Sequence, residues 1–143
     1  MNITEYKVLI TTSGIGSRLG RLTDYTNKSL VRIGDKPAIA HIIESYPVDT
    51  KFVVTLGHYG DHIKQFLTLV YPNKSFEFIE VDNYKGRGSS LVYSILQARK
   101  ALQCPFIFNA CDTIVGQNDK LPLPTFNYCV GAQKDETSQY TTL

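Results

Sequence analysis

The stretch TTSGIGSRLGRLTDYTNKSLVRIGDKP, residues 11–37, is the part of the sequence that says most about the fold. The apolar run KVLITT (7–12) leads directly into its glycines, and such a run predicts a buried strand that ends in a functional turn. Residues 13–34 then show neither helical nor strand periodicity. Loops longer than about 12–15 residues are usually either functional or disordered, and this loop therefore needs a function to explain it.

Beyond this loop, apolar residues recur at helical spacing in three segments. The first predicted helix starts at an Asp35 N-cap and stops at Pro47, and the second stops at Pro72. Ser89 or Ser90 caps the third. Apolar runs predict the remaining strands at 51–56, 76–81, 105–110 and 128–132. Because strands and amphipathic helices alternate, we expect an α/β fold, a three-layer, Rossmann-like, mostly parallel sheet with helices on both faces.

Length and composition limit the class of protein. With 143 residues, 43% of them hydrophobic and 20% charged, the chain is expected to form a single soluble domain over residues 1–143. A net charge of +2 gives no electrostatic case for a nucleic-acid partner. No apolar run approaches the ~20 residues of a membrane-spanning helix, and the N-terminus does not resemble a signal peptide. Three widely spaced cysteines favour free thiols in a reducing compartment, so we expect a cytoplasmic protein without a membrane partner.

Two familiar phosphate-binding motifs do not account for the glycines. A dinucleotide fingerprint needs a helix that begins within the turn and an acid about 20 residues later at the end of a strand. Here SRLGRLTDYTNKS (17–29) is a poor amphipathic helix, and Asp35 precedes a helix instead. A P-loop needs Gly-Lys-Ser/Thr after the glycines, whereas no glycine stands directly before Lys28.

The combination of Arg18 and Lys28 suits a triphosphate whose α-phosphorus is attacked. Backbone N–H groups of a glycine-rich turn approach phosphates where side chains would clash. An arginine forks two phosphate oxygens, and a lysine returning along the loop places a point charge on the α-phosphate. Gly14, Gly57 and Asp112 each follow a predicted strand. Ligands of parallel sheets bind outside the carboxyl ends of the strands, so we expect the site at that edge.

With these spacings, the stretch resembles the N-terminal signature of the sugar-1-phosphate nucleotidyltransferases. The family pattern is Gly-x-Gly-Thr/Ser-Arg-Leu, then Leu-Thr, then Lys-Pro/Ser-Leu and a closing Lys-Pro. The matching positions are Gly14, Gly16, Ser17, Arg18, Leu19, Leu22, Thr23, Lys28, Ser29, Leu30, Lys36 and Pro37. More loosely, GRGSS (86–90) stands where the family has a second glycine-rich turn, and Asp112 matches a metal-binding aspartate. The stretch VDNYKGRGSSLVYSI (81–95) also resembles the branch that handles phosphocholine or heptose phosphates.

The resemblance implies a Mg²⁺-dependent enzyme that moves a nucleoside monophosphate from a nucleoside triphosphate to a sugar 1-phosphate or similar phosphorylated acceptor. Pyrophosphate would be released, and the nucleotide sugar would serve polysaccharide or glycoconjugate synthesis. The resemblance also implies that Arg18 and Lys28 are catalytic and that Asp112 is the metal ligand. The nucleotide-binding positions that it implies are Ser13, Gly14, Gly16, Ser17, Gly88 and Ser89. The loop position further predicts that Lys28 is exposed when no ligand is bound.

Two features depart from the family pattern. Thr12 and Ser13 stand where the family has a small Ala-Gly pair, which is expected to crowd the backbone beside the base. Family members also continue past this length, with a second metal-binding aspartate and the sugar-phosphate pocket. We therefore expect residues 1–143 to lack the C-terminal sugar-phosphate-binding part, which is compatible with a homo-oligomer or an additional fused domain. The alternative function is a non-catalytic module that binds a nucleotide or a nucleotide sugar.

Overall fold

A four-stranded parallel sheet forms the centre of the fold. The computed structural model describes residues 5–116 and 124–129. In chain order the elements are β1 (Lys7–Thr11), β2 (Arg32–Ile33), β3 (Lys36–Pro37), α1 (Ala38–Ser45), β4 (Lys51–Leu56), α2 (Gly60–Val70), β5 (Ser75–Glu80), α3 (Leu91–Gln97) and β6 (Phe106–Ala110). Short 3-10 helices cover Ser17–Thr23, Lys28–Leu30 and Ala98–Lys100. The central sheet has the strand order β5-β4-β1-β6, and its pairings are parallel.

Helices cover both faces of the sheet because successive side chains of each strand point to opposite faces. On one face, Ile10 of β1 lies in a fully buried cluster with Ile39 of α1 and Ile63 of α2. On the other face, Leu9 of β1 is buried in a second cluster with Ala98, which follows α3. This arrangement confirms the predicted three-layer, Rossmann-like fold with helices on both faces of a mostly parallel sheet.

The start of α1 differs from the prediction. Asp35 is not its N-cap, because residues 32–37 form a small antiparallel hairpin in which Arg32 pairs with Pro37. Pro37 has an extended ψ of 152° and occupies the N-cap position of α1, which begins at Ala38. Asp35 lies instead in the hairpin turn between β2 and β3. The helix therefore begins two residues later than predicted, with its N-cap at Pro37 instead of Asp35, since the hairpin holds this part of the chain extended.

Two other predicted elements also differ in length. The third helix begins at the expected serine, since the Ser90 hydroxyl accepts a hydrogen bond from Tyr93 N at 3.0 Å. It is regular only to Gln97 and continues as a 3-10 turn. For the predicted strand at 128–132, Tyr128 and Cys129 lie outside any strand, and residues 130–132 lie outside the described residues. Within the described ranges, no helix combines the length and apolar character needed to cross a membrane.

Candidate active site

The candidate site lies at the carboxyl edge of the sheet, where the strand order reverses. From β1 the chain passes to β4 and β5 on one side, and then returns to place β6 on the other side of β1. Ligands of open α/β sheets bind in the crevice outside such a switch point. The glycine loop follows β1 and Asp112 follows β6. Both are therefore brought to this crevice by the fold itself.

An ion pair joins the loop to the end of β6. Lys28 Nζ donates a hydrogen bond to Asp112 Oδ2 at 3.0 Å, although the two residues are 84 positions apart in the chain. The Lys28 side chain is only 21% exposed, whereas that of Asp112 is 58% exposed. The prediction of an exposed Lys28 is therefore wrong, because the glycine loop packs against its aliphatic stem and Asp112 holds its ammonium group.

Gly16 is the residue against which the stem of Lys28 packs. A Cβ atom placed on Gly16 would lie 2.9 Å from Lys28 Cβ and 3.0 Å from Thr23 Cγ2. The φ angle of Gly16 is also +67°, in the left-handed region that glycine adopts without strain. Both the close approach and the backbone conformation thus require glycine at this position.

The electrostatic surroundings of Lys28 favour its charged form. Burial lowers the pKa of Lys28, but the neighbouring Cys111 and Asp112 raise it by more, so the pKa stands above its ordinary value. Burial raises the pKa of the Cys111 thiol to about 11, against a smaller opposing effect of Lys28. The thiol is therefore neutral at pH 7, and Asp112 is the negative partner of Lys28 there.

Ser17 and Arg18 follow the glycines in the segment Ser17–Thr23, which consists of two short 3-10 turns separated by a kink at Gly20, and both residues are exposed. In the first turn, Leu19 N donates to Gly16 O at 2.9 Å. In the second turn, the Thr23 hydroxyl donates to Gly20 O at 3.2 Å. Arg18 thus projects from a folded turn directly beside the glycine loop, where its guanidinium group is accessible to a ligand.

Thr12 and Ser13 do not project into the crevice. The Thr12 hydroxyl donates to Thr55 O at 2.6 Å, and the Ser13 hydroxyl forms a 2.9 Å hydrogen bond with that of Ser94. Both residues are buried. Any nucleotide contact at Ser13 would therefore come from its backbone. Gly14 is exposed, and no described atom would lie within 4 Å of a Cβ placed there.

The second glycine-rich turn reaches the same edge from the far side of β4. Ser89 Oγ donates to Gly86 O at 2.7 Å, and Gly88 has a φ of +86°. The connection that carries this turn also carries Tyr84, whose ring lies beside Gly57. A Cβ on Gly57 would meet Tyr84 Cγ at 2.8 Å and Ser13 O at 2.5 Å. This close packing places Tyr84, two residues before the turn, beside the start of the glycine loop.

The residues present fit a metal ion that arrives with a phosphate ligand. Within residues 5–116 and 124–129, no group of three His, Cys, Asp or Glu side chains is arranged to hold a metal ion. Mg²⁺ commonly takes one or two carboxylates and completes its shell with phosphate oxygens and water. Asp112 supplies one exposed carboxylate at the crevice. One carboxylate is enough for an ion that arrives with its phosphate ligand, whereas a preformed protein cage would need several.

Sequence reasoning missed the residues that fasten the loop to the fold. Asn27 is fully buried and donates to Thr12 O and His58 O. Tyr59 OH donates to Asp24 O at 2.6 Å. An asparagine in a polar loop is an ordinary turn residue, and its partner carbonyls come from distant parts of the chain. Nothing in the sequence therefore marked it.

Comparisons with known proteins show which solved structures share this fold. No protein-family model and no curated protein sequence matches the chain. Solved structures do match. CTP:phosphocholine cytidylyltransferase from Streptococcus pneumoniae is 25% identical with a TM-score of 0.57, over 75% of this chain and 45% of that one. UDP-glucose pyrophosphorylase from Acinetobacter baumannii is 14% identical with a TM-score of 0.62, over 78% and 47%.

A third match was solved with a nucleotide analogue. HddC from Yersinia pseudotuberculosis, complexed with GMP-PN, is 24% identical with a TM-score of 0.58, over 77% of this chain and 49% of that one. The chain thus spans about half the length of the solved structures that it matches. At these identities the matches establish the fold. Over the part of the chain that they cover, the protein has the fold of the sugar-1-phosphate nucleotidyltransferases, as the glycine loop predicted.

Proposed function

We propose that the chain is the nucleotide-binding part of a nucleotidyltransferase that moves a nucleoside monophosphate from a nucleoside triphosphate to a sugar 1-phosphate or similar phosphorylated acceptor. The observation that carries this proposal is the Lys28–Asp112 contact at the switch point of the sheet, beside a glycine turn. A lysine and a carboxylate that the sequence separates by 84 positions meet at the crevice where we propose that a triphosphate and its metal ion bind. Catalysis of such a transfer is mostly positioning and electrostatic stabilisation.

Each residue of the site has a separate task in this proposal. The backbone of Gly14 and Gly16 lies along the phosphates, and the exposed Arg18 guanidinium forks their oxygens. Lys28 places its charge at the α-phosphorus, where negative charge develops as an acceptor phosphate oxygen attacks. The new bond joins that oxygen to the α-phosphorus as the bond to the β-phosphate oxygen breaks and pyrophosphate departs. No covalent intermediate with the enzyme is formed.

Asp112 would hold Mg²⁺ in this reaction, and the ion would supply positive charge to the phosphate oxygens. In the nucleotide-free chain the same carboxylate accepts from Lys28. Binding of the metal–triphosphate would therefore exchange partners, because Lys28 turns to phosphate as Asp112 turns to the metal. The backbone of Ser13 and Ser17 and the turn at Gly88 and Ser89 would complete the nucleotide contacts.

The acceptor part of the site is proposed to lie outside residues 1–143. The chain spans about half of each matched structure, and we propose that it forms one nucleotidyltransferase-like domain without the sugar-phosphate-binding part. A second polypeptide segment, a fused domain or another copy of the chain would then complete the enzyme. We place the protein in the cytoplasm, where nucleoside triphosphates are available.

A non-catalytic nucleotide-binding or nucleotide-sugar-binding module is the second candidate function. It is favoured by one observation: among residues 5–116 and 124–129, no group of three His, Cys, Asp or Glu side chains is arranged to hold a metal ion beside Asp112. Such a module would bind the nucleotide through the same loop but would have no second acidic group with which to fix the metal for transfer.

Pyrophosphate release separates the two candidates. The chain, and the longer protein or complex that contains its acceptor part, are each mixed with every nucleoside triphosphate, Mg²⁺ and a panel of sugar 1-phosphates and phosphocholine, and both pyrophosphate and nucleotide binding are measured. Release that requires an acceptor supports the transferase, whereas nucleotide binding without release even when the acceptor part is present supports the module. Absence of nucleotide binding would contradict both.

Lys28→Ala tests the proposed catalytic role. Because the charge acts mainly on the transition state, we expect turnover of the full-length enzyme, with its acceptor part, to fall by more than nucleotide affinity does. The fold should remain intact, with a change in the free energy of unfolding of about 1 kcal/mol or less, since the lost ion pair is partly exposed. Lys64→Ala, on the exposed surface of α2, is the matched control. Normal turnover in Lys28→Ala would show that the assigned role is wrong.

A further inference from the structure

The 3-10 helix that carries Lys28 has little regular structure of its own to hold it. It comprises three residues, Lys28–Leu30, between an irregular loop and the short hairpin β2–β3. Helices of this kind are weakly stabilised by their own hydrogen bonds. A lysine that must be placed accurately against a phosphate therefore needs an anchor from elsewhere in the fold.

We propose that Asn27 is this anchor, a positioning residue that places Lys28 by joining three segments at the carboxyl edge of the sheet. Asn27 is the N-cap of the helix, and its side chain is fully buried. Its Oδ1 accepts from Ser29 N at 3.0 Å and from Ser29 Oγ at 2.7 Å. Its Nδ2 donates to Thr12 O at 2.7 Å and to His58 O at 2.6 Å.

These four bonds use the whole hydrogen-bonding capacity of an amide, two donors and an acceptor with two lone pairs. The orientation of the amide is fixed, because Thr12 O and His58 O are carbonyls that can only accept. Thr12 follows β1 and His58 follows β4, which are neighbours in the sheet. Asn27 thus ties the helix to the ends of both central strands, and the next residue along the chain is Lys28.

A carboxylate of the same shape tests this arrangement because it keeps the acceptors and loses the donors. In Asn27→Asp, one carboxylate oxygen would face two carbonyl oxygens across buried contacts of 2.7 and 2.6 Å. A buried group left without its partners carries the full cost of desolvation. The helix is therefore expected to pull away from the strand ends and to take Lys28 with it.

Tyr59→Phe is the matched control. Tyr59 OH also fastens the loop, through Asp24 O at 2.6 Å, but its partner lies four positions before Lys28 and outside the helix. If Asn27 acts only by tightening the loop as a whole, then both variants should affect Lys28 in the same way. If it positions Lys28, then Asn27→Asp alone should do so.

The first measurement is nuclear magnetic resonance of the 143-residue chain and does not depend on any activity. Gly16 and Lys28 are in close contact in the wild type, so nuclear Overhauser contacts between their protons report the position of Lys28. We expect Asn27→Asp to lose these contacts while those between Leu9 and Ala98 in the core persist. Tyr59→Phe should retain both sets. Retention of the Gly16–Lys28 contacts in folded Asn27→Asp would overturn the proposal.

The second measurement is a double-mutant cycle on triphosphate binding, and it rests on the proposed function. We expect Asn27→Asp to weaken binding by about tenfold when Lys28 is present and to have no further effect in a Lys28→Ala background. Additive effects would mean a general structural role and would overturn the positioning claim. If the wild type binds no triphosphate, the proposed function fails, and the magnetic resonance result still decides the role of Asn27.

A milder variant serves if Asn27→Asp does not fold, as judged by the absence of a cooperative thermal transition. Ser29→Ala removes the hydroxyl that donates to Asn27 Oδ1 and keeps the backbone bond from Ser29 N. We expect weakened Gly16–Lys28 contacts and a smaller loss of binding that again disappears with Lys28→Ala. Unchanged contacts in Ser29→Ala, together with additive effects on binding, would overturn the proposal.

Discussion

At Gly16, the space that a side chain would occupy is already taken by Lys28 and Thr23. The left-handed φ of +67° adds backbone strain for any other residue. We therefore expect Gly16→Ala to lower the free energy of unfolding by about 1–3 kcal/mol. Because the new methyl group would push against the stem of Lys28, triphosphate binding should weaken as well. Chemical denaturation and calorimetric titration measure the two effects.

Gly14 provides the control for that variant, two residues earlier in the same loop. Its φ is not in the left-handed region, and no described atom would lie within 4 Å of an added Cβ. Gly14→Ala should change the free energy of unfolding by less than about 0.5 kcal/mol, yet it places a methyl group where we propose that phosphate lies. Equal destabilisation by the two substitutions would contradict the packing argument at Gly16.

The sequence predicts Lys28 and Asp112 as residues of the site and gives no sign of Asn27, which we propose positions Lys28. Lys28 and Asp112 were predicted from the resemblance of the glycine loop and of the end of an apolar strand to the family pattern, because those signals are local. Asn27 forms its bonds with Thr12 and His58, and that pairing exists only after β1 and β4 lie side by side. The burial of Lys28 was mispredicted for the same reason.

The elements were predicted well where an apolar pattern is long and poorly where a short turn intervenes. The four central strands and the apolar faces of α1 and α2 follow from periodicity that packing enforces. The predicted start of α1 at residue 35 is wrong because the β2–β3 hairpin was not predicted. Each of its strands has only two residues, which is too short for a recognisable alternation of apolar and polar residues. The two 3-10 helices in the glycine loop likewise carry no periodic signal.

The hairpin is tied to both helices on its face of the sheet by Glu44. Lys36, from the closing Lys-Pro of the loop, pairs with Glu44 Oε2, and Tyr71 OH donates to Glu44 Oε1 at 2.7 Å. Lys36 and the Tyr71 hydroxyl hold the pKa of the Glu44 carboxyl below its ordinary value. The ionised Glu44 carboxylate therefore adds to the free energy of unfolding above about pH 4.5, and this contribution is lost as the pH falls through the lowered pKa.

We expect Glu44→Gln to lower the free energy of unfolding at pH 6 by no more than about 1 kcal/mol, because the carboxylate is partly exposed and screened by water. The difference in the free energy of unfolding between Glu44→Gln and the wild type should shrink toward zero well below pH 4, where the wild-type carboxyl is protonated and therefore neutral like the glutamine amide. Denaturant titrations across this pH range measure it. Glu80→Gln, at the exposed end of β5, is the control. A difference that grows on acidification would refute the assignment to Glu44.

The order of the strands determines which acidic side chains lie close enough to share a metal ion. Asp82 and Asp112 both lie at the carboxyl edge, but they follow β5 and β6, the two outer strands of the sheet. Three strand spacings separate these strands, a distance of about 14 Å. Asp82 also accepts from Tyr93 OH at 2.7 Å. The two carboxylates therefore belong to separate parts of the edge, and Asp112 meets Lys28 rather than a second acid.

From this arrangement we predict how Mg²⁺ behaves with the chain as a whole. Without nucleotide, one carboxylate that is already paired with Lys28 should give no measurable Mg²⁺ binding, since the ion keeps its waters unless several oxygens replace them. With a triphosphate present, Mg²⁺ should strengthen nucleotide binding, and Asp112→Asn should remove most of that gain while Asp82→Asn leaves it unchanged. Calorimetric titration of Mg²⁺ with and without each triphosphate measures both effects. Tight binding to the nucleotide-free chain would mean that another acid reaches Asp112, and the proposed division of the site between this chain and an acceptor part would then be wrong.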